Sequence, residues 1–582
     1  MKRILLFVHY NAYNKLSDHV IYTLEKLKPF FVKIVFISNS ILKNEDKERI
    51  KHLSDKIIQR ENKGFDFGAW KDAIIEEGWE ELKKYDSLIL MNDTCFGPLF
   101  DLSNLFNEME RKDCDFWGIT NHKKLIEKRQ LRVIPEHLQS YFFSFNKNVF
   151  LSNVFKKFWE KVKYHKDIQK VIHKYETKLT KILTRKGFKY KSFFNSLDYN
   201  YKTPNISLHY PRLIIKNKVP FVKVKSFIID SSPQKIIELI SSKTTYPVSL
   251  IEKHFNENFP PNISFRINNK LLITREKEES IKSNLKIAMH LHCYYVDLLE
   301  TYIEKIEKSN IDLYITTDTK EKKKEIQRKL SGKEYSFILK DILVFKNIGR
   351  DILPFLKISE YLKKYDIIGH FHTKKTTYAK GELGEIWSES IINNILTPIN
   401  EIIKEFEKNK DIGIIIPDIP ENIEISGDYG WYSFKKQFQK LFNKLFPESK
   451  IRIDKLATPI FPYGSMFWAR PDALEPIFNL KLDEKDFPEE PLPNDGTIAH
   501  AIERMFVYTA WMKGYDFRIA INEKRELKSK FFYKEDFFNT FSKKGFLIKK
   551  GILFFIPDSL RTFLIKTKFY IKNFRHIKKI LK

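Results

Sequence analysis

Two glutamates, both in helical text, are the residues best placed to move a proton. Glu176 has Ile172 four positions before it and Leu179 and Leu183 three and seven after; Glu503 has Ala499, Phe506 and Ala510 at the same offsets, and His500 three before. A carboxylate on the apolar stripe of a helix is costly unless it is paired or faces a cleft. Partial burial would raise its pKa toward the range useful to a general base. The plainer alternative is a buried glutamate paired with an arginine or lysine. Asp495, in Asp495-Gly496-Thr497 ahead of the Glu503 helix, is an alternative base or acceptor-binding group, or else an N-cap turn.

A second set of residues has the chemistry to hold a phosphorylated ligand. Asn62-x-Gly64-x-Asp66-x-Gly68 follows a short strand and precedes a helix. Glycines there let the backbone approach a ligand and expose N–H groups, while Asp66 can accept hydrogen bonds from a base or ribose. A tight turn with Asp66 as cap is the alternative. The pattern recurs in part as Asn347, Gly349, Arg350 and Asp351. Further on, an apolar strand ends in Met91-Asn92-Asp93. A carboxylate at that end of a parallel strand could hold a divalent metal bridging a diphosphate, with Asn92 assisting, or could simply form a turn. The later counterpart, His370-Phe371-His372-Thr373-Lys374-Lys375, has no carboxylate. There His370 and His372 share a strand face, and Lys374 and Lys375 could neutralise phosphates directly or line a solvated strand end.

These side chains need a scaffold to converge, and the surrounding text describes one. Apolar runs at 3–8, 33–38, 57–58 and 87–91 read as strands, and 20–31, 44–53 and the segment reaching 84 as helices. Strands alternating with helices predict an α/β fold with a parallel sheet. The same text then recurs in order. Lys286–His292 matches Arg3–His9, and Lys363-Lys364-Tyr365-Asp366 repeats Lys83-Lys84-Tyr85-Asp86. Ser465-Met466-Phe467-Trp468 parallels Ser140-Tyr141-Phe142-Phe143, and each glutamate stands eleven residues before a Gly-aromatic pair. The expectation is one α/β unit written twice: 1–245, a linker over 246–284, and 285–530, the second copy carrying an insertion around 376–460. A tail over 531–582 places Lys, Arg, Phe and Ile at helical spacing. It suits a helix lying on an anionic membrane, or helices packed on the second domain.

Composition narrows the partners. With 42% hydrophobic and 15% aromatic residues the chain of 582 has ample surface to bury, which excludes a disordered protein. Three cysteines, Cys95, Cys114 and Cys293, make no disulfide framework or metal-site spacing, pointing to a reducing compartment. The apolar start reads as a buried strand rather than a signal peptide, and no run approaches the ~20 residues that span a bilayer. Lys plus Arg is 103 against 74 acids, a net charge of +29, which calls for an anionic partner. Nucleic acid is suggested by charge alone, with no motif to support it.

Taken together, the text resembles the rhamnan synthesis protein F family of polysaccharide-assembly proteins. Its carriers are 61–70, Met91-Asn92-Asp93-Thr94 and Phe96-Gly97-Pro98 in the first half. In the second they are Asn347–Asp351, His370–Lys375, Gly464–Pro471 and Asp495–Arg504. The first half also looks like the donor half of inverting GT-A glycosyltransferases, with one carboxylate missing from the Asp-x-Asp-type metal motif. The resemblance implies two tandem GT-A-like, Rossmann-related nucleotide-sugar-binding domains with a helical C-terminal tail. It implies an inverting glycosyltransferase using a nucleotide sugar such as dTDP-L-rhamnose, with Mg2+ or Mn2+ as the cofactor to be tested. The acceptor implied is a lipid-linked glycan, placing the protein in the cytoplasm on the inner face of the plasma membrane, beside other polysaccharide-assembly enzymes. Glu503, Glu176 or Asp495 would be the base. A metal on Asp93, or Lys374, Lys375 and Arg350, would stabilise the leaving diphosphate. A glycan- or nucleotide-sugar-binding assembly protein without catalysis is the competing reading.

Overall fold

The computed structural model describes residues 1–127, 132–201, 203–275, 283–375, 388–419, 435–449, 451–453, 459–490 and 496–523. Asp495 and the tail 531–582 lie outside the described residues. The chain divides into two compact units, Met1–Asn269 and Lys270–Lys582.

In the first unit the sheet runs, edge to edge, Tyr190–Phe194, Phe116–His122, Phe142–Asn146, Ser87–Asn92, Arg3–His9, Lys33–Ser38, Lys56–Gln59. Phe142–Asn146 is antiparallel to both neighbours, and the other pairs along the path are parallel. Helices cover both faces, so the strands are apolar throughout rather than alternating. Ile4, Leu6 and Val8 bury against Trp70, Phe155 and Leu179 on one side. Leu5 and Phe7 bury against Leu24, Leu102 and Phe106 on the other. The indole N–H of Trp70 donates to the Leu6 carbonyl at 3.1 Å.

The second unit has the same order with one strand added at the edge: Leu271–Thr274, Asp516–Asn522, Ile412–Pro417, Phe467–Ala469, Ile367–His372, Ile287–His292, Asp312–Thr317, Ile338–Val344. Phe467–Ala469 is again antiparallel to both neighbours. Both sheets are Rossmann-related and parallel-rich, the expected α/β class.

Backbone bonds set the two units in register. Lys2 N–H donates to Asp86 Oδ2 and Lys286 N–H to Asp366 Oδ2, both at 2.7 Å. Asp93 N–H donates to the Val8 carbonyl, and Thr373 N–H to that of His292. Tyr10 N–H donates to Asp93 Oδ2, and Tyr295 N–H to Thr373 Oγ1, both at 2.9 Å. Asn92 therefore corresponds to His372, Asp93 to Thr373 and Thr94 to Lys374.

Two boundaries differ from expectation. The stretch read as linker holds helices Val248–Asn258 and Pro261–Ile267, whose Ile251, Phe255 and Ile267 join a core with Phe96 and Phe227. Its Leu271–Thr274 is a sheet strand. Pro261, at the first turn, starts a helix. Likewise the insertion read around 376–460 contains helix Ile399–Lys408 and strand Ile412–Pro417, the counterparts of Leu102–Glu110 and Phe116–His122. Among the described residues no helix is long and apolar enough to cross a membrane.

Candidate functional site

In each unit the candidate residues gather at the carboxyl ends of the central parallel strands, where open α/β sheets bind ligands. In the first unit the turn before helix Phe65–Glu77 puts two successive residues in left-handed conformation, Gly64 at φ 73° and Phe65 at φ 54°. A Cβ on Gly68 would stand 2.3 Å from the Lys63 carbonyl oxygen, so only glycine allows that approach. The turn aims Asp66 at the strand end. Its Oδ1 accepts Phe67 N–H at 2.9 Å and its Oδ2 accepts the Asn92 amide at 3.2 Å. Asn92 in turn accepts the Thr94 hydroxyl at 2.6 Å. Asp66 is pushed up to about 7, first by burial and then by the charge of Glu176. Asp93 is also pushed up to about 7 by burial, with Asp66 adding to it and two backbone N–H bonds opposing.

Glu176 enters from the far side. It ends Ile172–Glu176, a widened π-helical turn set between helices Ile168–Val171 and Thr177–Thr184. Its Oε1 accepts Ser140 N–H at 2.9 Å, just ahead of the antiparallel strand. Four neighbours were not singled out from sequence. Lys223 pairs with Cys95 across a two-stranded ribbon and is lowered by burial, with Cys95 and Glu176 opposing. Its Nζ is 5.3 Å from the Tyr141 ring. His122 is lowered to about 4 by burial and by His137, whose ring stacks on it at 5.0 Å. No local motif marks Lys223, which reaches the site only through tertiary pairing.

The second unit repeats the turn, with Gly349 at φ 69° and Arg350 at φ 54° ahead of Asp351. Asn347 is half-buried in the same loop. Asp351 meets a different partner. The strands Ile287–His292 and Ile367–His372 pair His290 with His370 and His292 with His372, setting four histidines on one face. With Asp351 ionised the hydrogen bonds have one consistent direction. His370 Nε2–H donates to Asp351 Oδ2 at 3.2 Å and its Nδ1 accepts from His290 Nδ1 at 3.0 Å. His290 Nε2 accepts the Thr316 hydroxyl at 2.8 Å, and Thr316 Oγ1 accepts His292 Nδ1–H at 2.9 Å. Burial raises Asp351, but His372, His370 and His292 outweigh it and hold the carboxyl well below its usual range. His290, His370 and His292 are all lowered by burial, His292 to about 4.

His370 was expected to touch the donor. It is fully buried and spends both nitrogens on Asp351 and His290, so it positions Asp351 instead. His290 and His292 carry the same His-x-His signal as His370 and His372, visible in the sequence once the strands are paired. His372 Nε2–H donates to the Gly464 carbonyl at 2.8 Å, and Gly464 N–H donates to Glu503 Oε1 at 3.0 Å. Glu503 thus occupies the place of Glu176, with Arg504 Nη1 at 3.5 Å from its Oε2. The ion-pair alternative therefore holds in part for Glu503. Lys374 is lowered by burial, with Glu503 and Asp351 opposing. His500 is lowered to about 4 by burial, then by Arg350 and Arg504. Lys375 lies apart, exposed and paired with Asp297 at 2.5 Å.

The first unit's donors fit a divalent cation chemically. Asp66, Asp93 and Asn92 offer the hard oxygens that Mg2+ and Mn2+ prefer, and the buried Asn62 Oδ1 has no hydrogen-bond partner. Among the described residues no three His, Cys, Asp or Glu side chains could hold an ion by themselves. An ion here would take its remaining ligands from the substrate or water, as Mg2+ commonly does.

A model of the family described as rhamnan synthesis protein F matches residues 34–515. The uncharacterized protein WxcX of Xanthomonas campestris pv. campestris (strain B100) is 31% identical over 226 residues, which cover 37% of this chain and 30% of that protein. The uncharacterized protein y4gN of Sinorhizobium fredii is 28% identical over 201 residues, 34% of this chain and 51% of that protein. The chain thus spans 30% to 51% of the length of these relatives. Among solved structures, the glycosyltransferase GlyE of Streptococcus pneumoniae is 13% identical with a TM-score of 0.24, over 76% of this chain and 99% of that one. Core-mannan synthase A of Aspergillus fumigatus, in its Mn/GDP form, is 12% identical with a TM-score of 0.18, over 27% and 63%. Overlaps of that size carry no weight for activity.

Proposed function

This chain belongs to the rhamnan synthesis protein F family, and we propose that it transfers a sugar from a nucleoside diphosphate carrier to a growing cell-surface polysaccharide. The transfer is assigned to the first unit. The observation that carries this is the meeting of Asp66, Asp93 and Glu176 at one strand end, with Lys223 as the cation in electrostatic reach of Glu176. Burial, with Glu176 acting on Asp66 and Asp66 on Asp93, pushes both carboxyls up to about 7, a shift that positive charge would relieve. When bound, Mg2+ or Mn2+ would supply that charge and neutralise the leaving diphosphate.

The remaining chemistry falls to the chain. Glu176, oriented by Ser140 N–H, takes the proton of the acceptor hydroxyl as its oxygen bonds to the sugar's anomeric carbon, and the carbon–phosphate oxygen bond breaks on the opposite side. That displacement inverts the anomeric centre, and the donor dTDP-L-rhamnose is supported by the family's description as rhamnan synthesis. A lipid-linked acceptor at the inner leaflet is supported by the +29 charge. Transfer of labelled sugar from dTDP-L-rhamnose by wild type and Glu176→Gln tests the assignment. Equal rates would move the chemistry elsewhere or favour a non-catalytic binding protein.

A further inference from the structure

We propose that the first unit holds a phosphate group of its acceptor on Lys223, in a subsite separate from the carboxylates that face the donor. The inference rests on the reading above, that this unit transfers a sugar with Glu176 as the base, and it names the kind of acceptor that base serves.

The two-stranded ribbon fixes the lysine. Val222-Lys223 pairs antiparallel with Cys95-Phe96, and Val224 N–H donates to the Thr94 carbonyl at 3.0 Å. Lys223 therefore stands opposite Cys95, two residues beyond Asp93. Its Nζ lies 5.3 Å from the centroid of the Tyr141 ring. That ring is itself held, with its hydroxyl 2.9 Å from Thr120 Oγ1, and the Tyr141 carbonyl accepts Asn92 N–H at 3.3 Å. Tyr141 directly follows Ser140, whose N–H orients Glu176. Among the described residues no oxygen accepts a hydrogen bond from Lys223 Nζ, although the residue is half-buried. An ammonium carries three donors, and leaving them unmet away from bulk water is costly unless a ligand meets them.

Charge divides the site, with Glu176 at the boundary. On one side Glu176 acts on Asp66 and Asp66 on Asp93, an acidic half that suits a metal-bound donor. On the other Glu176 acts on Lys223, and Lys223 acts on His122 and His209. His122 ends the strand Phe116–His122, which lies beyond the antiparallel strand from Arg3–His9, and pairs there with His137. Lys225, exposed, adds a second positive charge felt by Lys223 and His209. Burial lowers both imidazoles, so at neutral pH the charge that meets an anion is the lysine's. In an in-line displacement the base stands on the face of the sugar opposite the leaving group. The acceptor thus occupies the basic half, and a lysine there selects an acceptor with phosphate near the reacting hydroxyl. That phosphate belongs either to a lipid carrier or to a phosphorylated sugar.

Calorimetric titration of the full chain, held with saturating dTDP and Mg2+, with inorganic phosphate, farnesyl diphosphate and glucose 1-phosphate tests this. Binding of at least one probe beside dTDP is expected. It should weaken about tenfold or more in Lys223→Met, which keeps the stem and loses the charge, and stay within a few-fold in Lys223→Arg. Tighter binding of farnesyl diphosphate than of the other two places the phosphate on a lipid carrier, and tighter binding of glucose 1-phosphate places it on a sugar. No binding beside dTDP, or equal binding by wild type and Lys223→Met with both folded by circular dichroism, overturns the proposal. Loss of transfer in Glu176→Gln is read separately, so either conclusion can fail alone.

Discussion

His370→Leu places in the second unit the residue that the first unit has at the same position, Leu90. It removes the hydrogen-bond donor to Asp351 and the acceptor of His290, both buried. Breaking a buried charge pair by deleting one partner costs about 3–5 kcal/mol, because the remaining charge is left uncompensated. Better apolar packing against Phe355 and Phe467, whose rings lie 4.2 and 5.6 Å from that of His370, returns part of this. A net loss of about 3 kcal/mol, or roughly 6–12 °C in the transition of this unit, is expected. Hydrogen exchange followed by mass spectrometry localises it, because peptides from Ile287–His292 and Ile367–His372 should lose protection while those from Arg3–His9 do not. The pH dependence adds a sign. In wild type the Asp351 carboxyl lies below its unfolded value, so its contribution is full above about pH 4 and is lost as pH falls further. Without His370 the carboxyl loses one of the groups that hold it down, so the deficit should be full above about pH 4 and shrink as pH falls further. Asp351→Leu in the His370→Leu background should be less harmful than the two single changes summed. A loss below about 1 kcal/mol, uniform across pH and additive with Asp351→Leu, would refute the hydrogen-bonded chain.

Other outcomes follow from the same geometry. Glu176→Gln should slow transfer by about 10²–10⁴-fold while leaving dTDP binding within a few-fold, measured by single-turnover kinetics and calorimetry. Mg2+ should stabilise the first unit more at pH 8 than at pH 6 in a thermal-shift series, because Asp66 and Asp93 hold protons up to about pH 7 that the ion must displace; equal shifts would remove these carboxylates from the metal site. Gly68→Ala should cost more stability than Gly64→Ala in urea denaturation, because its Cβ would meet the Lys63 carbonyl oxygen at 2.3 Å, against 3.1 Å to the nearest atoms at Gly64.

Much of the fold can be read locally. Alternation of apolar runs with helical spacing defines strands and helices in residues that are neighbours in the chain, and so needs no three-dimensional information. The glutamates are equally visible, since an acid on an apolar helix face is an anomaly within a few turns. The folded stretch after residue 246 was harder to see. Its helices are short, and they bury against Phe96, more than a hundred residues away in sequence.

The sequence by itself therefore determined the α/β class and the set of candidate acids and bases, because each rests on the spacing of residues within one element. Only the tertiary structure decided what those residues do. Sheet pairing sets His290 beside His370, 80 residues apart, and a ribbon between Cys95 and Val222-Lys223 places Lys223 in reach of Glu176. Backbone register shows that Thr373, not a histidine, stands at the place of Asp93. The same aspartate is then raised toward 7 beside Glu176 in one unit and held ionised by histidine in the other. Electrostatics depends on distance and burial in space, and neither is encoded by position along the chain.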